Sequence, residues 1–559
     1  VGSSTCTSTT WMLSMFLSAT ISLSLLVQNV AGIKSFNNER MLWSKEEYPE
    51  YCSSPKHMQK RTIPTVKQDV TGLQIMQVFA TIRHGSRTPW SAYDCWHGYL
   101  DDPAQSKWDC DLTTLMAPPR DKAKDREGSF LFDKVYDGLK PPLTNELGGT
   151  CEVGQLLLAG YDQQLANGVH LRDAYLSDDE DLAHMKLFPS KHYDERPYEE
   201  STYFRSDDDQ RVLMSGQVLL GGLFDVSEDT IMTVHTADRS RDVMDQNDVD
   251  CPRLKDIENE AGLSPEYTAL NSTALANEMI GILDDIGCQT RFTLDCMMTT
   301  FCNDRPLPEV LNDFTHQDDG SVFNRMIDFW TKTSTFHWAY NNGEYSKLAL
   351  GPLWADMNDA LKKARNANNI DDMAYQKIPQ FYLASGHDTT VMPFLISLGS
   401  KVWDGIWPVY ASMVLIEVYS VAEGQSDFPS TKAFRLVYNG QVITSRMDRC
   451  KAELCDLDIL LAQIEPFASW ERNCESSGNA DDSESNLTTS QESFGLNPSL
   501  GFTVALAILC SLASSLATFV SVTGNWPFRK ERQKAEFTPA GTEEVELPGL
   551  DDDSDMGII

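Results

Sequence analysis

Basic side chains are scarce in this sequence. Lys and Arg together number 46 against 82 Asp and Glu, a formal charge of −36 over 559 residues. A chain so acidic is repelled by a phosphate backbone, which excludes nucleic acid as a partner. CxxC pairs of the zinc type are also missing, although there are 13 cysteines. Cys6 falls in the N-terminal leader and Cys510 in a late apolar run. Between them lie Cys52, Cys95, Cys110, Cys151, Cys251, Cys288, Cys296, Cys302, Cys450, Cys455 and Cys474, which read as disulfide partners in an oxidising compartment. Their number is odd, so at least one thiol is free or pairs between chains, and the spacing leaves the connectivity open. No internal repeat is present, which excludes a solenoid. Wholesale disorder is excluded too, because 41% of residues are hydrophobic and 23% charged, an ordinary globular balance.

Charge is wholly absent from one long stretch, between Glu492 and Arg529. Within it, Phe502 to Val522 is a run of 21 largely apolar residues, long enough as a helix to span a hydrocarbon core of about 30 Å. Trp526 and Phe528 sit at its boundary, and Arg529, Lys530, Arg532 and Lys534 follow. Basic flanks favour the cytoplasmic side, so the expected layout is a single-pass type I membrane protein with its bulk lumenal (lysosome, vacuole or endosome) or extracellular. Trp11 to Val30 is apolar and ends in small residues at Ala31-Gly32, as a signal peptide would. The expected organisation is a signal peptide over 1–32, a lead-in over 33–71, a catalytic domain over 72–475, a stalk over 476–499, a membrane helix over 500–523 and a cytoplasmic tail over 524–559. Sequons at Asn271 and Asn486 suit glycosylation in the same compartment.

The pattern inside 72–475 alternates between strand and helix signals. Leu73 to Ile82 is dense in β-branched and apolar residues and stops at Arg83-His84-Gly85. Glu152 to Ala166 has helical spacing, and Ile231 to His235 reads as a strand. Residues 255–370 read as mostly helical. Lys377 to Ala384 is another strand, followed by Ser385-Gly386-His387-Asp388-Thr389-Thr390 and a helix ending near Gly399. Met413 to Tyr419 and Phe434 to Tyr438 are late strands, and residues 91–142 read as loops.

Two strand ends therefore carry chemistry-bearing residues, and in open α/β sheets ligands bind beyond the carboxyl ends of strands. Phosphoryl transfer needs a nucleophile aimed in line, donors for the equatorial oxygens, and an acid for the leaving alkoxide. His84 suits the nucleophile, since imidazole is neutral enough near or below pH 7 to attack. Arg83 and Arg87 offer forked donors that Lys cannot match. His387 adds a further donor, and Asp388 suits the acid, its proton favoured by a neighbouring phosphate. His235 reads as a structural histidine.

The segment Arg83-His84-Gly85-Ser86-Arg87-Thr88-Pro89 resembles the RHGxRxP signature of the histidine acid phosphatases, the second branch of the histidine phosphatase superfamily, and is similar to lysosomal or prostatic acid phosphatases in kind. His387-Asp388 resembles that family's second signature. A block with Arg205-Ser206, Asp209, Arg211 and Leu213, and another running from Val234-His235-Thr236 through Asp242 to Cys251-Pro252-Arg253, are similar as well. The resemblance implies an acid phosphatase for small phosphate monoesters. It implies a phosphohistidine at His84, a phosphate pocket of Arg83, Arg87, Arg205 and His387, Asp388 as proton donor, and neither metal nor cofactor. It implies an α/β fold, a central mixed β-sheet flanked by helices on both faces, with a smaller mainly helical domain inserted; a homodimer is compatible with it. Asp207 departs from the pattern, standing where Thr is usual. Two rival functions share these signatures: a phytase or inositol-polyphosphate phosphatase, and a membrane receptor on an inactive phosphatase scaffold. The first would favour a broad basic rim. The second would have lost the nucleophile or the acid, and here both remain.

Overall fold

Strand β1 (Gln74–Arg83) is buried at every position after its first residue. That explains its sequence, because a strand covered on both faces reads as a near-continuous apolar run rather than an alternation. The computed structural model describes residues 48–90, 95–110, 115–116, 132–134, 136, 147–227, 230–238, 241–287, 293–311 and 322–475. They all belong to one compact unit. The signal peptide, stalk, membrane helix and tail read from the sequence, with Cys288 and Asn486, lie outside the described residues. Among the described residues no helix is long and apolar enough to cross a membrane.

The remaining strands of the main sheet are β2 (Thr202–Ser206), β3 (Val234–His235), β4 (Phe381–Gly386), β5 (Met413–Ser420), β6 (Lys432–Tyr438), β7 (Gln441–Val442) and β8 (Cys455–Asp456). The order is β7-β6-β5-β1-β4-β2-β3, with β8 also on β6. Strands β1, β4, β2 and β3 run parallel, whereas β5 is antiparallel to β1 and to β6, so the sheet is mixed. The register sets Arg83 opposite Gly386 and Ser206 opposite Ser385. Three parallel strands thus end along one edge, and the residues that follow them meet there.

Side chains alternate between two faces along these strands. Val78, Ala80, Ile82, Leu383 and Leu415 pack under helices α1 (Leu158–Tyr175) and α2 (Gln210–Leu223). Phe79, Tyr382, Ala384, Val414 and Ile416 pack on the opposite face, under α8 (Gly351–Asn366), α9 (Asp388–Ser397) and α10 (Leu457–Ala468). Trp354 is fully buried there and stacked on Phe394, and its truncation to Ala should cost about 3–5 kcal/mol.

Between β3 and β4 the chain is helical, as its pattern indicated. Helices α3 (Arg253–Gly262), α4 (Ala274–Asp285), α5 (Thr293–Cys302), α6 (Val322–Ser334) and α7 (Phe336–Ala349, broken at Tyr340–Gly343) form this insert. Met279, Met298, Phe301, Phe323 and Met326 make a separate apolar cluster with Trp96 and Tyr99. Disulfides Cys52–Cys302 and Cys95–Cys296 tie α5 to segments on either side of β1, closing 250 and 201 residues of sequence. In the loop-entropy model each such closure stabilises by about 5 kcal/mol. Cys110–Cys151, Cys251–Cys474 and Cys450–Cys455 bring the disulfides among the described residues to five, which pair ten of the central cysteines.

Two elements differ from the sequence pattern. The helix expected from Glu152 begins at Leu158, because residues before it are taken by the segment after β1: Leu156 bridges Arg87, and Thr88 N–H donates to the Gln155 carbonyl at 2.9 Å. The strand expected from Ile231 shrinks to Val234–His235, where it pairs with the end of β2.

Candidate active site

The turn after β1 is held by contacts that only small residues allow. A Cβ on Gly85 would lie 2.4 Å from the Gly160 carbonyl oxygen, and one on Gly160 would lie 2.2 Å from that of Ser86. With the backbones this close, Gln163 accepts from Ser86 N–H at 2.8 Å and Gln164 donates to the Arg83 carbonyl at 2.7 Å. Helix α1 thereby clamps the main chain on both sides of His84.

His84 itself is 1% exposed. Its Nδ1 lies 2.8 Å from the Gly85 carbonyl, which can only accept, so Nδ1 carries the proton and Nε2 keeps the lone pair. Burial, followed by the charges of Arg211, Arg83, Arg87 and His387, holds the imidazole well below its usual value and keeps it neutral. A neutral ring with one fixed tautomer is what a nucleophile at Nε2 requires.

Arg83, wholly buried, reaches Asp388 at 2.8 Å, the Pro408 carbonyl at 2.5 Å and the Tyr51 hydroxyl at 3.0 Å, with its guanidinium over the Tyr410 ring. Arg87 forks onto Asp295 of α5, at 2.7 and 3.2 Å. Asp388 begins α9 and also accepts from Trp407 Nε1 at 2.9 Å. Burial favours its protonated form, but Arg83, Arg87, Trp407 and His387 outweigh burial and hold it below the usual carboxylate range. His387 lies 5.6 Å from His84, ring centre to ring centre. Burial pushes its pKa down, yet hydrogen bonds to Asp207 and Asp209 prevail and lift it to about 9.

The structure brings His84, Arg83, Arg87, His387 and Asp388 together and leaves Arg205 out. Arg205 alternates with Phe204 along β2 and shares a face with Tyr203, on whose hydroxyl its charge acts. Its charge acts on His235, Asp242 and Asp356. The expectation that Arg205 lines the phosphate pocket is therefore corrected. The guanidinium beside the cluster is Arg211, in the first turn of α2, 3.0 Å from Asp209 and 3.5 Å from His387 Nδ1. A strand end running into a helix N-terminus is where anions settle, and that signal marks Arg211 rather than Arg205. Asp295, Tyr51 and Trp407 had no such signal, since they arrive from distant segments. His235 stacks on Tyr203 at 4.2 Å outside the cluster, and Asn271, half-buried, ends the short helix Pro265–Asn271.

Around His84, the Nε atoms of Arg83, Arg87 and Arg211 are buried and have no hydrogen-bond partner. Helices α2 and α9 add their N-termini. Such unsatisfied cationic donors are costly unless an anion answers them.

Residues 74–439 match the model of the histidine phosphatase superfamily (branch 2). Similar proteins include Counting factor 60 of Dictyostelium discoideum, 26% identical over 435 residues covering 74% of this chain and 89% of that protein. Lysophosphatidic acid phosphatase type 6 of Homo sapiens is 25% identical, covering 70% of this chain and 82% of that protein. Lysosomal acid phosphatase of Bos taurus is 26% identical, covering 59% and 74%. Among solved structures, a Klebsiella sp. ASR1 phytase aligns with a TM-score of 0.45 at 15% identity, covering 72% of this chain and 97% of that one. The chain belongs to the histidine phosphatase superfamily, branch 2, and is a phosphoric monoester hydrolase.

Proposed function

We propose that this phosphatase is an acid phosphatase that works through a covalent phosphohistidine at His84. The observation that carries the reading is the free Nε2 of a neutral, buried His84 among guanidiniums with unanswered donors. Nε2 attacks phosphorus; the P–N bond forms as the ester P–O bond breaks, and the departing alkoxide takes a proton from Asp388. Water then attacks phosphorus, the P–N electrons return to Nε2, and inorganic phosphate leaves. Arg83, Arg87, Arg211 and His387 hold the equatorial oxygens as charge spreads over them. Arg211 fills the role the sequence reading gave to Arg205.

Asp388 is ionised in the free site because Arg83 sits on it. It must therefore gain a proton when substrate binds, either as the phosphate dianion raises its pKa or as a monoanionic ester brings one. Both routes favour acid. Beside the cluster, Asp208 is paired with Lys134 and Asp209 with Arg211, so these positions add no free basic charge for further phosphates, which favours substrates with one phosphate. The sequence pattern at 500–523 supports a type I anchor with this domain lumenal.

Hydrolysis of p-nitrophenyl phosphate between pH 3 and 9, with a chelator present, tests the reading. Metal-independent activity on the acid side, absent in His84→Ala, is expected. Wild-type turnover in folded His84→Ala would refute the mechanism, and an inactive wild type would move weight to the receptor reading.

A further inference from the structure

Asp207 takes part in no step above, yet it is among the more deeply buried carboxylates, 5% exposed. It follows β2, where the family resemblance expects Thr. Its Oδ2 lies 3.1 Å from His387 Nε2, and Asp209 Oδ2 lies 3.3 Å from the same nitrogen. The other ring nitrogen, Nδ1, faces Arg211 Nη2 at 3.5 Å. One side of the ring is thus acidic and the other looks toward the phosphate donors. Behind Asp207 stands Asp242, 8% exposed, near enough for the two carboxyls to act on each other. Asp242 also accepts from Met244 N–H at 2.9 Å. Burial and then Asp207 push the Asp242 carboxyl up to about 8, so in acid it is protonated and leaves the Asp207 charge to His387. Besides these groups, His84, Arg211 and Asp388 face His387, and Arg205 faces Asp242.

We propose that Asp207 is a positioning residue: by pairing with His387 Nε2 at 3.1 Å, Asp207 keeps that ring an imidazolium whose Nδ1–H, set against the donor Arg211 Nη2 in the free site, is answered by an oxygen of the bound phosphoryl group. The inference rests on the phosphate-donor role given to His387 above. With Thr in this place, Asp209 and the more distant Asp388 would be left to oppose burial, Arg211 and His84, and the ring would lose its proton at lower pH. A charged donor is about twice as strong as a neutral one, so the pairing extends phosphate binding toward neutral pH.

The test is the pH profile of kcat and KM for p-nitrophenyl phosphate in Asp207→Asn and Asp207→Thr of the full chain, with Tm recorded. At pH 7.5, KM should rise about tenfold with kcat changing less. The alkaline limb of kcat/KM should move down by about one pH unit or more, near wild-type values should return at pH 5, and Asp207→Glu should restore part of the loss. Folded variants with an unshifted limb, whether fully active or uniformly weakened, would overturn the proposal and leave the phosphohistidine reading standing. An inactive wild type would overturn both. If the variants do not fold, an imidazole ¹⁵N titration of the wild type decides: a neutral His387 at pH 7.5 refutes the idea, and a charged one supports it.

Discussion

Arg435, on β6, and Arg83, at the end of β1, are both wholly buried, and they are treated in opposite ways. Each nitrogen of Arg435 has an acceptor: Nε and Nη2 go to Glu417, and Nη1 goes to Glu453 at 2.9 Å. Glu417 accepts in addition from the hydroxyls of Tyr175 and Tyr419. Around His84, by contrast, Arg83, Arg87 and Arg211 keep buried Nε–H groups unanswered. Arg205, off the site, also keeps an unanswered Nε, so what sets Arg83, Arg87 and Arg211 apart is that three such donors share one buried cluster with His84, and the fold bears the cost.

This contrast can be broken most sharply at Asp388. Asp388→Asn removes the acid while keeping a side chain of the same shape beside Arg83. For alkyl phosphates, turnover should fall about 10²–10⁴-fold, and for p-nitrophenyl phosphate, whose leaving group needs little help, much less. Equal losses for the two esters would remove Asp388 from the acid role. On the other side of the comparison, Glu417→Gln leaves Arg435 buried with Glu453 as its only charged partner. Urea unfolding should show a loss of about 3–5 kcal/mol, with kcat of the folded fraction unchanged. A normal stability would mean the two networks do not differ as argued.

Arg211→Ala against Arg205→Ala sharpens the same contrast within one sequence block. Losing one preorganised donor typically costs about 10²–10³-fold in kcat/KM, and that is expected for Arg211. Arg205→Ala should cost less than about tenfold and act through stability, since its partners Tyr203, Asp242 and Asp356 lie off the nucleophile. The reverse ranking would restore the assignment first read from the sequence.

That pair also shows what was legible beforehand. His84 and Asp388 could be read because each sits within a few residues of the strand that aims it, so local sequence carries both chemistry and direction. Arg205 and Arg211 stand in one short block, and choosing between them required knowing where β2 stops and α2 starts, since alternation sends Arg205 to the Tyr203 face. Asp295 reaches Arg87 from α5, which Cys95–Cys296 anchors at the next residue, and no local pattern announces a contact made across 208 positions of sequence. Mixed pairing in the sheet was likewise expected from the resemblance, while periodicity alone gave only the strands.

The last effect is one of pH on stability, and its sign follows from the site. His387, lifted to about 9, and Asp242, lifted to about 8, both hold protons in the folded chain that the unfolded chain gives up at lower pH. Groups with raised values stabilise fully below their unfolded pKa and lose that contribution as pH rises through the folded one. Asp242 loses its share between about 4 and 8, and His387 between about 6.5 and 9. His84, held low, acts in the opposite sense and costs stability only as pH falls below about 6.5, and Asp388 does so only below its ordinary carboxylate range. Between pH 6.5 and 9 the two raised groups therefore set the slope, and unfolding free energy should drop by on the order of 5 kcal/mol. Asp207→Asn removes the partner that His387 and Asp242 share, so its curve over that range should be flatter than the wild type's. Parallel curves would mean that Asp207 does not link the two groups, and the difference between a saturated network and a responsive one would then rest on the arginines alone.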